Sequence, residues 1–107
     1  MKYIDNHAHL NFAAYDSDRE DVLSRMAEFE VGAIIVGTQR DTSKKAVELA
    51  ESNNNLWSIV GLHPIHTTAA FHDESEIGSE TKPFESRGEI FDKEYYRELA
   101  QNPKCVG

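Results

Sequence analysis

Strand-like and helix-like segments alternate along most of this chain, and this alternation constrains the fold more than any other feature. Three short segments have strand character: Lys2–Asp5, the unbroken apolar run Ala33–Gly37, and Leu56–Val60. A continuous apolar run is typical of a strand buried on both faces, as in a parallel sheet covered by helices. Strands that alternate with helices are joined as parallel βαβ units. The sequence therefore predicts an α/β fold built on a parallel sheet.

Each of the three predicted helices begins with a capping pattern. Ser17 and Glu20 form a capping box, in which each side chain can bond a backbone N–H of the first turn. Asp41 or Thr42 is expected to cap the second helix, and Asp92 the third. Apolar residues follow at helical spacing and are expected to face the core. In the first two helices these residues are Val22, Leu23, Met26, Ala27, Phe29, Ala46, Val47, Leu49 and Ala50.

The alternation is interrupted between the third strand and the third helix. Residues 65–91 are polar and show no clear periodicity, so they are expected to form a long loop. A connection of this length is uncommon in a compact domain and usually has a function or is mobile. The third helix is expected over Lys93–Asn102, Pro103 ends it, and a fourth strand begins at Lys104. Because that strand has only a few residues here, we expect residues 1–107 to be the N-terminal part of a longer protein.

Length and charge limit the possible functions. A chain of 107 residues supports one small domain. Its net charge of −8 argues against a broad basic surface for nucleic acid, although bound divalent cations can hold substrate phosphates on an acidic protein. The sequence has no signal-peptide pattern and no membrane-spanning segment, so a cytoplasmic protein is expected. The single cysteine, Cys105, is expected to be a packed, reduced thiol.

The first strand leads into an Asp-x-His-x-His motif formed by Asp5, His7 and His9. Side chains two residues apart on a strand share one face, so these three are expected to project together. Imidazole is a good ligand for zinc, manganese or iron, and a nearby carboxylate can fix the histidine tautomer. We therefore expect His7 and His9 to bind a metal ion, and Asp5 to be an orienting or structural carboxylate and not itself a ligand. The alternative is a pair of hydrogen-bonded core histidines.

His63 is the candidate catalytic residue. It follows the third strand and precedes Pro64, at the strand end where α/β proteins build their sites. We expect His63 to line the site and to contact a substrate phosphate or a metal-bound water; the alternative is a histidine that packs there and bonds the backbone. His66 is a weaker candidate, because Pro64 disfavours a helical His-x-x-His pair. His72 lies in the acidic stretch and is expected to be solvated.

Five further polar or aromatic residues lie near the predicted strand and helix ends. Asn11 follows the histidine motif, where it could contact substrate or cap the backbone, and the sequence does not separate these roles. Tyr95 and Tyr96 have helical spacing with apolar neighbours and are expected to be core or interface residues. Arg40 and Arg87 lie in predicted loops and could meet phosphates, although a surface charge is the commoner role.

Three segments together resemble the TatD-related metal-dependent hydrolases, (β/α)-barrel enzymes of the amidohydrolase superfamily usually described as DNases. These segments are Asp5–Leu10, Val36–Thr38 and Val60–Pro64, and the resemblance extends over nearly all of the chain. It implies the N-terminal part of a (β/α)8 TIM-type barrel, about three and a half βα units long. It also implies one or two divalent ions (Zn, Mn or Mg) at the barrel mouth, where His7 and His9 match the family's first-strand ligands. The family's other ligands, a Glu, two His and an Asp on later strands, would lie beyond Gly107.

The resemblance implies metal-assisted hydrolysis of a phosphodiester, with DNA as the expected substrate and partner. Two alternatives stay open. One is an amide or ester hydrolase on the same fold, such as a deacylase, because loops set specificity in barrels. The other is a catalytically incomplete fragment. We expect the 107-residue chain alone to be inactive.

Overall fold

The computed structural model describes residues 1–67, 71–72, 84–85 and 88–107. Its elements, in chain order, are β1 (Tyr3–Ala8), α1 (Arg19–Glu28), β2 (Val31–Val36), α2 (Arg40–Ser52), β3 (Leu56–Ile59), β4 (Phe71–His72), β5 (Phe84–Glu85) and α3 (Lys93–Ala100). Short 3-10 turns occupy Ala13–Tyr15 and Pro64–His66. The described helices include none that is both long enough and apolar enough to cross a membrane.

The predicted parallel sheet is confirmed. Its strands are ordered β1-β2-β3, and both neighbouring pairs are parallel. Beyond β3, a parallel bridge joins Ser58 to Cys105, and the Ser58 N–H donates to the Lys104 carbonyl over 2.8 Å. The expected fourth strand thus starts beside β3. Because all these segments are parallel, their carboxyl ends lie along the same edge of the sheet.

The core lies between the sheet and the first two helices. All four residues predicted to face inward from α2 are buried, together with Leu23 of α1 and Ile35 of β2. The prediction that the apolar residues of α1 face the core is wrong for two of them: Ala27 and Phe29 are exposed. Phe29 lies just after the helix, and the chain turns at Glu30, whose positive φ of 58° is typical of the residue that follows a helix.

Two helix starts differ from the prediction, and in α2 the difference is a capping box between Gln39 and Thr42. The Ser17–Glu20 capping box is wrong, because α1 begins at Arg19 with Asp18 before it. The second helix begins at Arg40, where the Thr42 hydroxyl reaches back to accept the Gln39 N–H over 3.0 Å. The start of α3 is confirmed: Asp92 accepts the Tyr95 N–H over 3.2 Å.

Most of the expected loop, residues 65–91, lies outside the described residues. Within the described part, β4 and β5 form a short antiparallel pair, with Phe71 opposite Glu85 and His72 opposite Phe84. The base of the segment is closed by a hydrogen bond of 2.6 Å from the Glu89 N–H to the His66 carbonyl. The predictions for the His72 side chain and for Arg87 fall outside the described residues.

Arg19 is a buried cation that determines the path of the chain after β1. Its Nε donates to the Leu10 carbonyl over 2.5 Å, and its Nη2 donates to the Phe12 carbonyl and to the Asp16 carboxylate, both over 2.8 Å. Only 8% of the residue is exposed. A planar guanidinium can serve several acceptors at once. The first residue of α1 is therefore fixed by the loop that it closes.

Replacing Arg19 with Met should lower the free energy of unfolding by about 3 kcal/mol, because buried carbonyls lose charged donors. Arg19→Lys should recover only part of this, since an ammonium group lacks the planar fork. Arg25→Met, on the exposed face of α1, is the matched control and should change stability by less than about 0.5 kcal/mol. Urea unfolding measures all three. Equal losses for the two Met variants would show that the Arg19 bonds do not stabilise the loop.

Candidate metal centre

The two histidines of the motif lie at a distortion near the end of β1. Asp5 pairs with Ala33, but Ala8 pairs with Ile35, so β1 uses one more residue than β2 over this stretch. An extra residue of this kind breaks the strict alternation of side chains. The Asp5 carboxylate accepts the backbone N–H of His7 over 3.0 Å. The observed partner of Asp5 is thus the distorted backbone at His7, as expected of a structural carboxylate.

The imidazole rings of His7 and His9 lie close together. Their centroids are 5.0 Å apart and their planes are inclined at 78°. His7 is exposed, whereas His9 is half-buried and stacks on Phe12 at a centroid distance of 4.3 Å. Ring nitrogens bind transition metals at about 2.0–2.1 Å. Two rings this close fit a shared ion at the carboxyl end of β1.

The tautomer of His9 follows from its hydrogen bond to Val36, the last residue of β2. The His9 Nδ1 lies 3.1 Å from the Val36 carbonyl oxygen. A carbonyl oxygen only accepts, so Nδ1 carries the proton, and in the neutral ring Nε2 carries the lone pair. Metal-bound histidines in proteins are commonly held in this way by a backbone carbonyl. In this tautomer Nε2 is the nitrogen through which a histidine ligates a metal ion.

His63 lies at the same edge of the sheet, just beyond β3. Its side chain is exposed, its Nδ1 accepts the Ile65 N–H over 3.1 Å, and its backbone N–H donates to the Thr38 carbonyl over 2.7 Å. The bond to Thr38 connects the exits of β2 and β3. His66 is buried, with 1% of its surface exposed. It follows Pro64 in a 3-10 turn, so the expected absence of a helical His-x-x-His pair agrees with the structure.

Two histidines make an incomplete metal site. Among the described residues, no group of three or more His, Cys, Asp or Glu side chains is arranged to hold a metal ion. Zinc sites in proteins need at least three protein ligands. The residues present therefore fit part of a metal site, and further ligands are needed.

The sequence left two roles open for Asn11, contact with substrate or capping of the backbone. In the structure its side chain forms hydrogen bonds with the backbone. Its Nδ2 donates to the Val36 carbonyl over 3.0 Å and to the Thr42 carbonyl over 2.8 Å. The residue is buried. A polar residue placed between two buried apolar neighbours, Leu10 and Phe12, is the sequence signal that could have indicated such a role.

The exits of β2 and β3 are joined through the first turn of α2. The Ser43 hydroxyl accepts the Gly61 N–H over 3.1 Å and donates to the Gly61 carbonyl over 3.2 Å. Ser43 approaches β2 closely, and a Cβ atom on Gly37 would lie 2.4 Å from both its Cα and its Oγ. Sequence analysis missed Ser43, because a serine within an amphipathic helix carries no distinctive signal.

Comparison with known proteins assigns the chain to a family. The family model described as TatD related DNase matches residues 4–107. The chain belongs to this family.

Several curated relatives in the TatD family match parts of the chain. It is 39% identical over 62 residues to the Bacillus subtilis protein named "uncharacterized metal-dependent hydrolase YabD", which covers 57% of this chain and 24% of that protein. It is 41% identical over 61 residues to the "3'-5' ssDNA/RNA exonuclease TatD" of Pantoea ananatis, covering 55% of this chain and 24% of that protein. The protein of the same name from Shigella flexneri is 32% identical over 98 residues, 91% of this chain and 31% of that protein. The chain spans about a quarter of the length of the first relatives that it matches.

In this TatD-family chain, Arg40 joins α2 to the start of α3. Its Nη1 lies 3.2 Å from the Asp92 carboxylate, and its guanidinium lies 3.9 Å from the centre of the Tyr95 ring. Hydrogen bonding to the Tyr95 N–H, followed by the bond to Arg40, lowers the pKa of Asp92. Arg40 was a candidate for a phosphate contact, but its guanidinium is paired with the Asp92 carboxylate of the same chain.

Glu89 completes the contact between α2 and α3. Its Oε1 accepts the Arg40 N–H over 2.9 Å, and its Oε2 accepts the Tyr96 hydroxyl. Burial and this hydrogen bond raise the pKa of Tyr96 above its usual range. Tyr96 is buried and Tyr95 is half-buried, which agrees with the prediction of core or interface residues. Glu89 was missed by sequence analysis, since it lies among many acidic residues.

Gly37→Ala should destabilise the fold by about 1–3 kcal/mol, because the added methyl group overpacks the contact with α2. Gly61→Ala is the matched control, since a Cβ atom there meets no other atom within 4 Å. Thermal unfolding of both variants measures the difference. Equal melting temperatures would contradict the close approach at Gly37.

Asp92→Asn should lower the melting temperature at neutral pH, because it keeps the helix cap but removes the charge that faces Arg40. The pKa of Asp92 is lowered in the folded state, so its stabilising effect is complete above its unfolded pKa, about 3.9. The effect is lost as pH falls through the lowered folded-state pKa. The difference between the wild type and Asp92→Asn should therefore shrink in melting curves recorded between pH 5 and 2. A constant difference over this range would contradict the assignment.

Proposed function

We propose that this chain supplies the first-strand ligands of a metal-dependent phosphodiesterase that acts on single-stranded nucleic acid. The observation that carries the proposal is the close pair His7 and His9, with His9 held for binding through Nε2 by the Val36 carbonyl. The relatives named as metal-dependent hydrolases and as ssDNA/RNA exonucleases support it. A divalent ion (Zn, Mn or Mg), when bound, supplies Lewis-acid activation of water and of the phosphoryl group.

The residues of this chain have separate roles in the proposed site. His7 and His9 bind the ion, and Asp5 supports them by accepting the N–H of the distorted backbone at His7. His63 lines the same edge of the sheet, where an exposed imidazole can donate to a substrate phosphate oxygen. The remaining ligands and the general base would come from residues outside this sequence.

We further propose that the sheet is the N-terminal part of a (β/α)8 barrel, with residues 1–107 forming a partial domain. In support, β1 to β3 are adjacent and parallel in chain order, as barrel strands are. Within the described residues, β1 pairs only with β2. A cleft of about 590 Å³ lies along β1 and is lined by residues including His7, Tyr15 and Met26. A closing strand of a barrel would pair at this edge.

The test begins with the coding sequence after Gly107, read together with the intact mass of the native product. If the frame continues, the complete protein is assayed with Mg²⁺, Mn²⁺ or Zn²⁺ on end-labelled single-stranded DNA and RNA and on an aryl ester. Metal-dependent loss of nucleic acid without ester cleavage is the expected result. Ester cleavage alone would support the amide or ester hydrolase instead. A native product that ends at Gly107 and binds no metal would be an incomplete fragment.

His7→Ala and His9→Ala should each lower the metal-dependent hydrolysis rate by about 100-fold or more, since even partners of metal ligands contribute 10- to 100-fold. His72→Ala, a histidine that the sequence places in the polar segment, is the control and should keep full activity. Rates on labelled oligonucleotides and metal affinities by calorimetry are measured for all three. Activity retained in His7→Ala and His9→Ala would refute the assignment of the ligands.

A further inference from the structure

We infer that Asn11 is a positioning residue for the metal site: its carboxamide holds the Val36 carbonyl that keeps His9 in the tautomer that binds through Nε2. The inference rests on the metal site of the proposed function and adds a residue outside the ligand set. It concerns the geometry of one backbone carbonyl, which two side chains share.

Two side chains, His9 and Asn11, share the Val36 carbonyl oxygen as their acceptor. The oxygen lies 3.1 Å from the His9 Nδ1 and 3.0 Å from the Asn11 Nδ2. A carbonyl oxygen has two lone pairs and can accept both donors. Val36 is buried, with 7% of its surface exposed. The amide of Asn11 therefore helps to set where the acceptor of His9 lies.

The amide group of Asn11 uses its other hydrogen in a second hydrogen bond. This hydrogen is donated to the Thr42 carbonyl over 2.8 Å, in the first turn of α2. The Thr42 hydroxyl in turn accepts the N–H groups of Thr38, over 2.8 Å, and Gln39, over 3.0 Å. Asn11 thus links the end of β2 to a turn that is itself held by hydrogen bonds, so the Val36 carbonyl is fixed from both sides.

The oxygen of the Asn11 side chain shows why an amide is needed at this position. In the described part of the chain, this Oδ1 is buried and has no hydrogen-bond partner. A buried acceptor without a partner is unfavourable and calls for a reason. The reason is that the position needs two donors on one short side chain, which Asp and Ser cannot provide. The contacts also fix the amide orientation, since the flipped form would direct Oδ1 at two carbonyl oxygens.

Replacing Asn11 should therefore change the tautomer of the His9 ring without unfolding the whole protein. Without the second donor, the Val36 carbonyl can move, and the His9 ring can adopt the tautomer with the proton on Nε2, which blocks metal binding there. Changes to groups that orient metal ligands weaken metal affinity by about 10- to 100-fold. We expect a value near the lower end, about 10-fold, because the direct bond from His9 to Val36 can still form.

The test compares Asn11→Leu with Asn55→Leu in the complete protein. Asn55 is a matched control, because its Nδ2 donates over 2.8 Å to the carbonyl of Val31, at the opposite end of β2. Nitrogen-15 NMR of the histidine rings, without metal, reports the His9 tautomer, and calorimetric titration with Zn²⁺ reports affinity. Both variants should melt at lower temperature. Only Asn11→Leu should shift the His9 ring signals and weaken Zn²⁺ binding about 10-fold.

Each outcome decides the inference. It is overturned if His9 in the wild type carries its proton on Nε2, a measurement that needs no variant. It is also overturned if Asn11→Leu changes neither the ring signals nor the affinity, or if Asn55→Leu changes them equally. If Asn11→Leu does not fold, Asn11→Ser, which keeps one donor, is measured by the same criteria. A wild type that binds no Zn²⁺ would refute the proposed metal site instead, and the metal-free tautomer would still report on Asn11.

Discussion

The carboxyl end of β2 is the position on which the arrangement of the site depends. The Val36 carbonyl accepts both His9 and Asn11, and the next N–H, that of Gly37, donates to the Ile59 carbonyl over 2.9 Å. Because β2 is the central strand, with β1 and β3 on its two sides, these contacts reach both neighbouring strand ends. A displacement of this one turn would therefore change the position of the histidines and the exit of β3 together.

The sequence indicated the parts of the fold that depend on local composition. The apolar run of β2 predicted a strand buried on both faces, and the spacing of Ala46, Val47, Leu49 and Ala50 predicted the inward face of α2, because burial follows directly from periodicity. The distortion between Asp5 and Ala8 could not be predicted, since it exists only in the pairing of β1 with β2. The same holds for the start of α1. A capping box at Ser17 satisfies local rules, but the buried guanidinium of Arg19 bonds distant carbonyls and determines where the helix begins.

The sequence pointed to the candidate ligands but not to the residues that surround them. His7 and His9 could be predicted as ligands because an alternating histidine pair at a strand end is a local pattern. Asn11 and Ser43 act through backbone carbonyls and N–H groups of other elements, so their roles depend on which loops meet in space. Asp5 illustrates this limit: the motif left an orienting and a structural role open for its carboxylate, and in the structure the carboxylate accepts the backbone N–H of His7.

Charge determines how the proposed site would attract its substrate. The chain has a net charge of −8, and Arg40 is paired with Asp92, so this cation does not provide an unpaired charge for phosphates. His9, in turn, is held by a neutral carbonyl. Two neutral imidazoles add no charge to a divalent ion, so the further ligands and an anionic substrate would balance its charge. In the proposed phosphodiesterase, the bound ion would therefore attract the substrate phosphate, a role that a basic surface has in many nucleic-acid-binding proteins. An acidic chain is compatible with such a substrate for this reason.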